Sequence, residues 1–146
     1  MADQNSPNRM PSAQPRAADM TWLLLNPLGR ISRELYVLGV GLTLCVSEVL
    51  ARIWQKSVVF EINPDGGLEI IEITNASIIS MLALIPVTWM IMALLAKRCH
   101  DRGMSGLLCL LWLVPFANFV FLVFMGVMSG DPGPNRYGPR TNARPE

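Results

Sequence analysis

Long uncharged apolar runs alternate with short polar segments along the chain, and that pattern predicts the elements. Residues 76–96 hold 21 positions and residues 107–129 hold 23, all without a charged side chain. At about 1.5 Å per residue they reach roughly 31 and 34 Å, enough for a hydrocarbon core about 30 Å thick. Residues 35–54 form a third run, with ten Leu, Ile or Val residues but also Glu48 and Arg52. Those ten contribute about −3 to −6 kcal/mol to insertion, whereas a charge at the helix centre costs about 2.5–3.5 kcal/mol. The two charges are therefore expected away from the centre, paired at i, i+4 near the end of the run.

Between the first two runs, residues 57–62 and 68–73 are rich in β-branched and apolar side chains and flank Asn63, Pro64, Asp65, Gly66 and Gly67. Pro presets a turn and the glycines supply positive φ, so the segment 57–73 reads as a β-hairpin. The predicted fold is an all-α integral membrane protein: three transmembrane helices at 35–54, 76–96 and 107–129, with a short β-hairpin in the first connection. Residues 1–19 lack periodicity and read as a disordered polar tail, and they lack the basic start and apolar core of a cleavable signal peptide. Residues 20–28 are too short to cross and are expected at the interface, with Trp22 at headgroup depth. The membrane domain is thus expected over 20–139, and 140–146 as a flexible tail.

Charge gives the expected orientation. Arg9, Arg16, Arg30 and Arg33 precede the first run, offset by Asp3, Asp19 and Glu34 to a net +1. The hairpin has Lys56 against Glu61, Asp65, Glu69 and Glu72, a net −3, and the connection 97–106 has Lys97, Arg98 and Arg102 against Asp101, a net +2. Basic segments stay in the cytoplasm, so the N-terminus and the 97–106 loop are expected there, with the hairpin outward. Three spans would then put Arg136, Arg140 and Arg144 outside. Either Pro115 merely kinks a full third span, or the residues around Pro115 and Asn118 break it into a re-entrant hairpin that returns the tail. The kinked span is preferred, because Pro is common in membrane helices.

Composition agrees with this partition: 51% of the 146 residues are apolar and 16% charged, against about 25% charged in soluble domains. A net charge of +1 offers no pull toward nucleic acid, and three scattered cysteines, Cys45, Cys99 and Cys109, give no disulfide framework.

Three polar segments are more particular than generic loops. The first carries Gly29, Arg30, Ser32, Arg33, Glu34 and Tyr36; the second Lys97, Arg98, Cys99, His100, Asp101, Arg102, Gly103 and Gly106; the third Gly130, Asp131, Pro132, Asn135, Arg136, Tyr137 and Gly138. Together, placed around these runs, they resemble the bacterial family named domain of unknown function 805, over roughly residues 22–139. Leu107 and Leu108 stand where members often have an aromatic pair, with Trp112 further on. The resemblance implies a multi-pass bacterial inner-membrane protein and brings no activity with it.

Read as chemistry, Ser32 is an N-cap for the first span, with Glu34 in its first turn and Ile31 and Tyr36 at staple positions. Gly103 and Gly106 punctuate a tight return, with Ser105 available as a cap. His100 and Asp101 invite a catalytic reading, but neighbours on a helix do not face each other and no nucleophile spacing accompanies them. Cys99 and His100 lack a second pair at metal-ligand spacing. No catalytic residue, metal or cofactor is therefore expected.

The candidate lipid, anion or partner contacts are Arg30, Arg33, Lys97, Arg98, His100, Asp101, Arg102, Asn135, Arg136 and Tyr137, expected to meet anionic headgroups at the cytoplasmic face. The intramembrane polar residues are Glu48, Arg52 and Asn118, the last expected to hydrogen-bond between helices. Gly39, Thr43, Ser47 and Ala51 form a small-residue face for packing within the bundle, for a homo-oligomer or for a membrane-protein partner. The reading that follows is a non-enzymatic accessory or assembly protein acting through its basic segments. The alternatives are an oligomeric transporter or channel component using Glu48, and a headgroup-binding or headgroup-modifying protein using the loop from Lys97 to Arg102.

Overall fold

The computed structural model describes residues 19–142. The predicted N-terminal tail, apart from Asp19, and the last four residues lie outside the described part. The chain is mostly helical. A short helix α1 (Met20–Leu25) leads to α2 (Arg33–Ser57), then to two strands, β1 (Val58–Ile62) and β2 (Leu68–Ile73), and to α3 (Asn75–Asp101). A 3-10 segment (Gly106–Leu113) and α4 (Ala117–Val127) complete it. Among the described residues, only α2 and α3 are long and apolar enough to cross a membrane, and α4 is a shorter apolar helix.

The helix boundaries follow local chemistry. Ser32 caps α2, its Oγ accepting from Leu35 N at 3.4 Å, and Ile31 and Tyr36 close over the turn, both fully buried. At the end of α3, Met104 N donates to Cys99 O at 2.9 Å and Gly103 N to His100 O at 3.0 Å, with Gly103 at φ +67°. This double closure needs a left-handed residue, which glycine supplies without strain. Ser105 then caps the 3-10 segment.

The expected third span does not form. Pro115 has no N–H and disfavours helical geometry at the preceding residue; Val114 is accordingly extended, and Phe116 takes φ +65°. The run 107–129 becomes two legs, a 3-10 segment of 8 residues and a helix of 11 residues. At about 2.0 and 1.5 Å per residue, each is roughly 16 Å long, half a hydrocarbon core. They run out and back. The first leg starts where α3 ends, and α4 returns to the same place, where Tyr36 donates to Leu122 O at 3.0 Å and Arg98 to Met125 O at 3.0 Å. The preferred kinked span is thereby corrected to the re-entrant hairpin, and residues 130–142 end beside Arg30.

α2 and α3 pack antiparallel along their lengths. Gly39 sits against Leu94, where an added Cβ would lie 3.0 Å from Leu94 Cδ2, and Thr43 is buried a turn further on. At the other end, the Ser57 and Ser77 hydroxyls are 2.6 Å apart. The Gly39 and Thr43 part of the small-residue face is thus used inside the chain, while Ser47 and Ala51 stay partly exposed. β1 and β2 pair antiparallel at that same end, with a register shift between Val59 and Phe60. Asn118 bonds locally, its Oδ1 accepting from Phe119 N at 2.7 Å, and is not the interhelical bridge expected.

The core is a cluster of Trp22, Ile31, Tyr36, Val40, Ile91, Leu94, Leu95, Cys99 and Met125. Trp22 is buried in it, with its indole N–H on Leu28 O at 3.2 Å, so its ring packs against its own chain.

Candidate functional site

Asp101 is the hub where the three polar segments meet. Its position is set by the last turn of α3, and it is 1% exposed. Oδ1 accepts from Arg30 Nε at 3.1 Å and from Thr141 Oγ1 at 2.6 Å, and Oδ2 accepts from Arg98 Nη1 at 2.6 Å. One carboxylate thus faces two guanidinium groups, and backbone carbonyls supply the remaining negative potential. Arg30 donates to Asp131 O at 2.6 Å, Gly133 O at 2.7 Å and Gly138 O at 3.2 Å. Arg98 donates to Ile31 O at 3.3 Å, to Met125 O and to Met128 O. The last two belong to the final turn of α4, whose carbonyls carry the negative end of the helix dipole.

Residues 130–142 wrap over this hub. Asp131 N donates to Asp101 O at 2.9 Å, Asn135 Nδ2 to His100 O at 2.9 Å, and Asn142 N to Arg30 O at 3.0 Å. Ser32 N donates to Asn142 Oδ1 at 2.7 Å. Thr141 and Asn142 are therefore docked, where a flexible tail was expected.

His100 faces away from Asp101's partners. Its Nδ1 lies 3.2 Å from Gly29 O; a carbonyl only accepts, so this nitrogen carries the proton. Its ring stacks on Tyr137 at 3.9 Å, and a Cβ at Gly106 would come within 2.5 Å of its Nε2. The imidazole is enclosed on three sides by its own chain.

Lys97 is fully buried, 4.5 Å over the Trp22 ring, and donates to Trp22 O at 2.7 Å and to Leu23 O. These carbonyls end α1, a six-residue helix too short to hold itself. Replacing Lys97 with Met leaves both without that donor, at a cost of about 1–3 kcal/mol. A thiol introduced by Leu23→Cys, buried in the parent, is then expected to react several-fold faster with maleimide in detergent.

The other candidates differ in exposure. Arg102 is half-buried, donates to Ser129 O and lies 5.8 Å from the Phe124 ring. Arg136 is exposed over Tyr137 and reaches Gly103 O at 3.1 Å, and Arg33 is exposed at the start of α2. Glu48 and Arg52 stand apart from this end, on the outer face of α2, joined at 2.6 Å. Among the described residues no three His, Cys, Asp or Glu side chains come together as metal ligands.

The sequence pointed to Arg30, Arg98 and Asp101 but as surface contacts, whereas all three are buried and satisfy one another. Thr141 and Asn142 were missed as members. Their only signal was lying beside the third Gly- and Pro-rich segment.

Two apolar helices of crossing length, with a polar knot closing one end of the bundle, fit a small helical membrane protein. The chain matches the family described as protein of unknown function (DUF805) over residues 24–139, and it belongs to that family. It is 38% identical over 60 residues to the inner membrane protein YhaI of Escherichia coli (strain K12), covering 41% of this chain and 51% of that protein. To the inner membrane protein YhaH of the same strain it is 35% identical over 49 residues, covering 34% of this chain and 40% of that protein. The chain thus spans about half or less of the curated relatives it matches. No solved structure matches it.

Proposed function

We propose that the protein is a non-catalytic accessory protein of the inner membrane, in which the three family motifs clasp one end of the bundle rather than bind a substrate. One observation carries this reading: the donors of Arg30 and Arg98 are spent on Asp101 and on six backbone carbonyls of the same chain. All five N–H groups of Arg30 have acceptors, Thr141 Oγ1 taking the last, and four of the five of Arg98 do, and with both side chains 1% exposed neither guanidinium is open to a headgroup phosphate. Among the described residues at this end, the cations left to meet other molecules are Arg33, Arg136 and Arg140, exposed around the rim of the clasp.

The clasped end belongs in the cytoplasm on this reading. It gathers Arg30, Arg33, Lys97, Arg98, Arg102, Arg136 and Arg140, whereas Lys56 is the basic residue beside the strands. The re-entrant fold removes the conflict that a third span created, because the basic tail joins the basic loops.

The test has two arms. Single cysteines at positions 33 and 142, in a chain without the native three, are expected to resist an impermeant maleimide in intact cells, while one at position 65 reacts. The combined replacement of Arg33, Arg136 and Arg140 with Gln is expected to keep the parent melting temperature in detergent and to lose the proteins or anionic lipids that co-purify with the parent. A purified parent that turns over a lipid or phosphate ester, and stops when His100 becomes Gln at unaltered melting temperature, would sink the proposal.

A further inference from the structure

The Glu48–Arg52 pair lies at an unexpected depth. Gly39 faces Leu94 and Ser57 faces Ser77, and Glu48 is midway between the first members of these contacts. It therefore stands level with Ile85 and Pro86, at the midpoint of the uncharged run 76–96. Packed on α3, the pair thus lies opposite the middle of that uncharged run, whereas its place in the run 35–54 alone puts it near an end. Their side chains are 62% and 71% exposed, and they point away from α3. Arg52, about one turn toward the strands, can extend its head toward that surface, but the short Glu48 cannot. A carboxylate held outward at mid-depth needs a protein partner in place of lipid.

Along α2, Leu38, Gly41, Cys45, Glu48 and Arg52 are all exposed, and their spacings alternate between three and four residues. Such spacing forms one seam down a helix. Nothing lies within 4 Å of a Cβ built on Gly41, so a second backbone has room to approach there. The charge pattern selects the partner. Copies of one protein share their orientation in a membrane, and a two-fold axis along the membrane normal sets two α2 helices side by side and parallel. Glu48 of each copy then faces Arg52 of the other, offset by about 6 Å along the axis, within reach of both side chains. The seam is complementary to itself.

We infer that the protein forms a parallel homodimer through this face of α2, with reciprocal Glu48–Arg52 pairs at the membrane centre. This face is distinct from the Gly39 and Thr43 face, which α3 already covers. The dimer does not depend on the clasp's being non-catalytic.

Cys45 provides the test, because it lies on the seam while Cys99 is buried. Mild oxidation of native membranes is expected to give a disulfide-linked dimer that disappears with Cys45→Ser. A thiol moved to the exposed face of α4, by Cys45→Ser with Phe119→Cys, should not cross-link. Glu48→Gln or Arg52→Gln is expected to weaken self-association about tenfold, read as cross-linked fraction against protein-to-lipid ratio. The exchange Glu48→Arg with Arg52→Glu keeps the reciprocal pattern and should restore it. Folding of each variant is checked by Cys99 remaining unreactive. Absence of the Cys45 dimer, cross-linking of Cys45 to a different protein, or indifference of the yield to both Gln variants would each overturn the inference.

Discussion

Asp101→Asn is expected to lower the unfolding free energy by about 3–5 kcal/mol, the usual cost of removing one partner from a buried ion pair. The amide is close to isosteric, so packing is preserved and the change isolates the charge. Without the carboxylate, Arg30 and Arg98 sit buried with carbonyl dipoles alone around them. The neutral amide also turns an NH2 group toward a guanidinium donor, where both oxygens had accepted. A fall in melting temperature of about 10–20 °C in detergent is expected, followed by the reaction rate of the buried Cys99 thiol. The exposed Arg33→Gln is the control and should melt within a degree or two of the parent. If Asp101→Asn also melted with the parent, the clasp would not hold the fold.

Gly130→Ala carries the second large effect, and it needs no change of charge. A methyl group there would lie 1.8 Å from Asp101 Oδ2, 2.8 Å from its Cγ and 3.2 Å from Arg98 Nη1. The carboxylate cannot swing aside, because Arg30, Arg98 and Thr141 hold it from different directions. Either residues 130–142 lift away or the ion pairs lengthen. Overpacking costs about 1–3 kcal/mol in ordinary cores, and the value here is expected at or above the top of that range. Gly133→Ala is the matched control in the same segment, since nothing lies within 4 Å of a Cβ there. Trypsin cleavage after Arg136 or Arg140 in folded protein should accelerate with Gly130→Ala and not with Gly133→Ala.

The helix ends could be read from the sequence because capping is local. Ser32 with Ile31 and Tyr36, and Gly103 with Ser105, announce their turns within five residues of chain. The meeting of the three segments could not. Arg30 and Asp101 are separated by 71 residues, and hydropathy is the same for one long span as for two short legs. Pro115 was the visible clue, but whether it bends a helix or reverses it depends on Arg98 holding the far end of α4. The level of Glu48 against α3 was hidden for a related reason. Glu48 falls near the end of its own apolar run, whereas α2 continues to Ser57 and its contacts with α3 set Glu48 opposite the middle of that helix.

The clasp also sets an order in time. Arg30 precedes Asp131, whose carbonyl it binds, by 101 residues. At a ribosomal rate of about 5–20 residues per second, Arg30 is made some 5–20 s before that partner. α2, α3 and α4 are all synthesised in the interval, so the hydrophobic helices can enter the bilayer while the polar end is still open and wet. Closure over Asp101 therefore comes after the helices have been made, and a ribosome stalled before Thr141 leaves the clasp open.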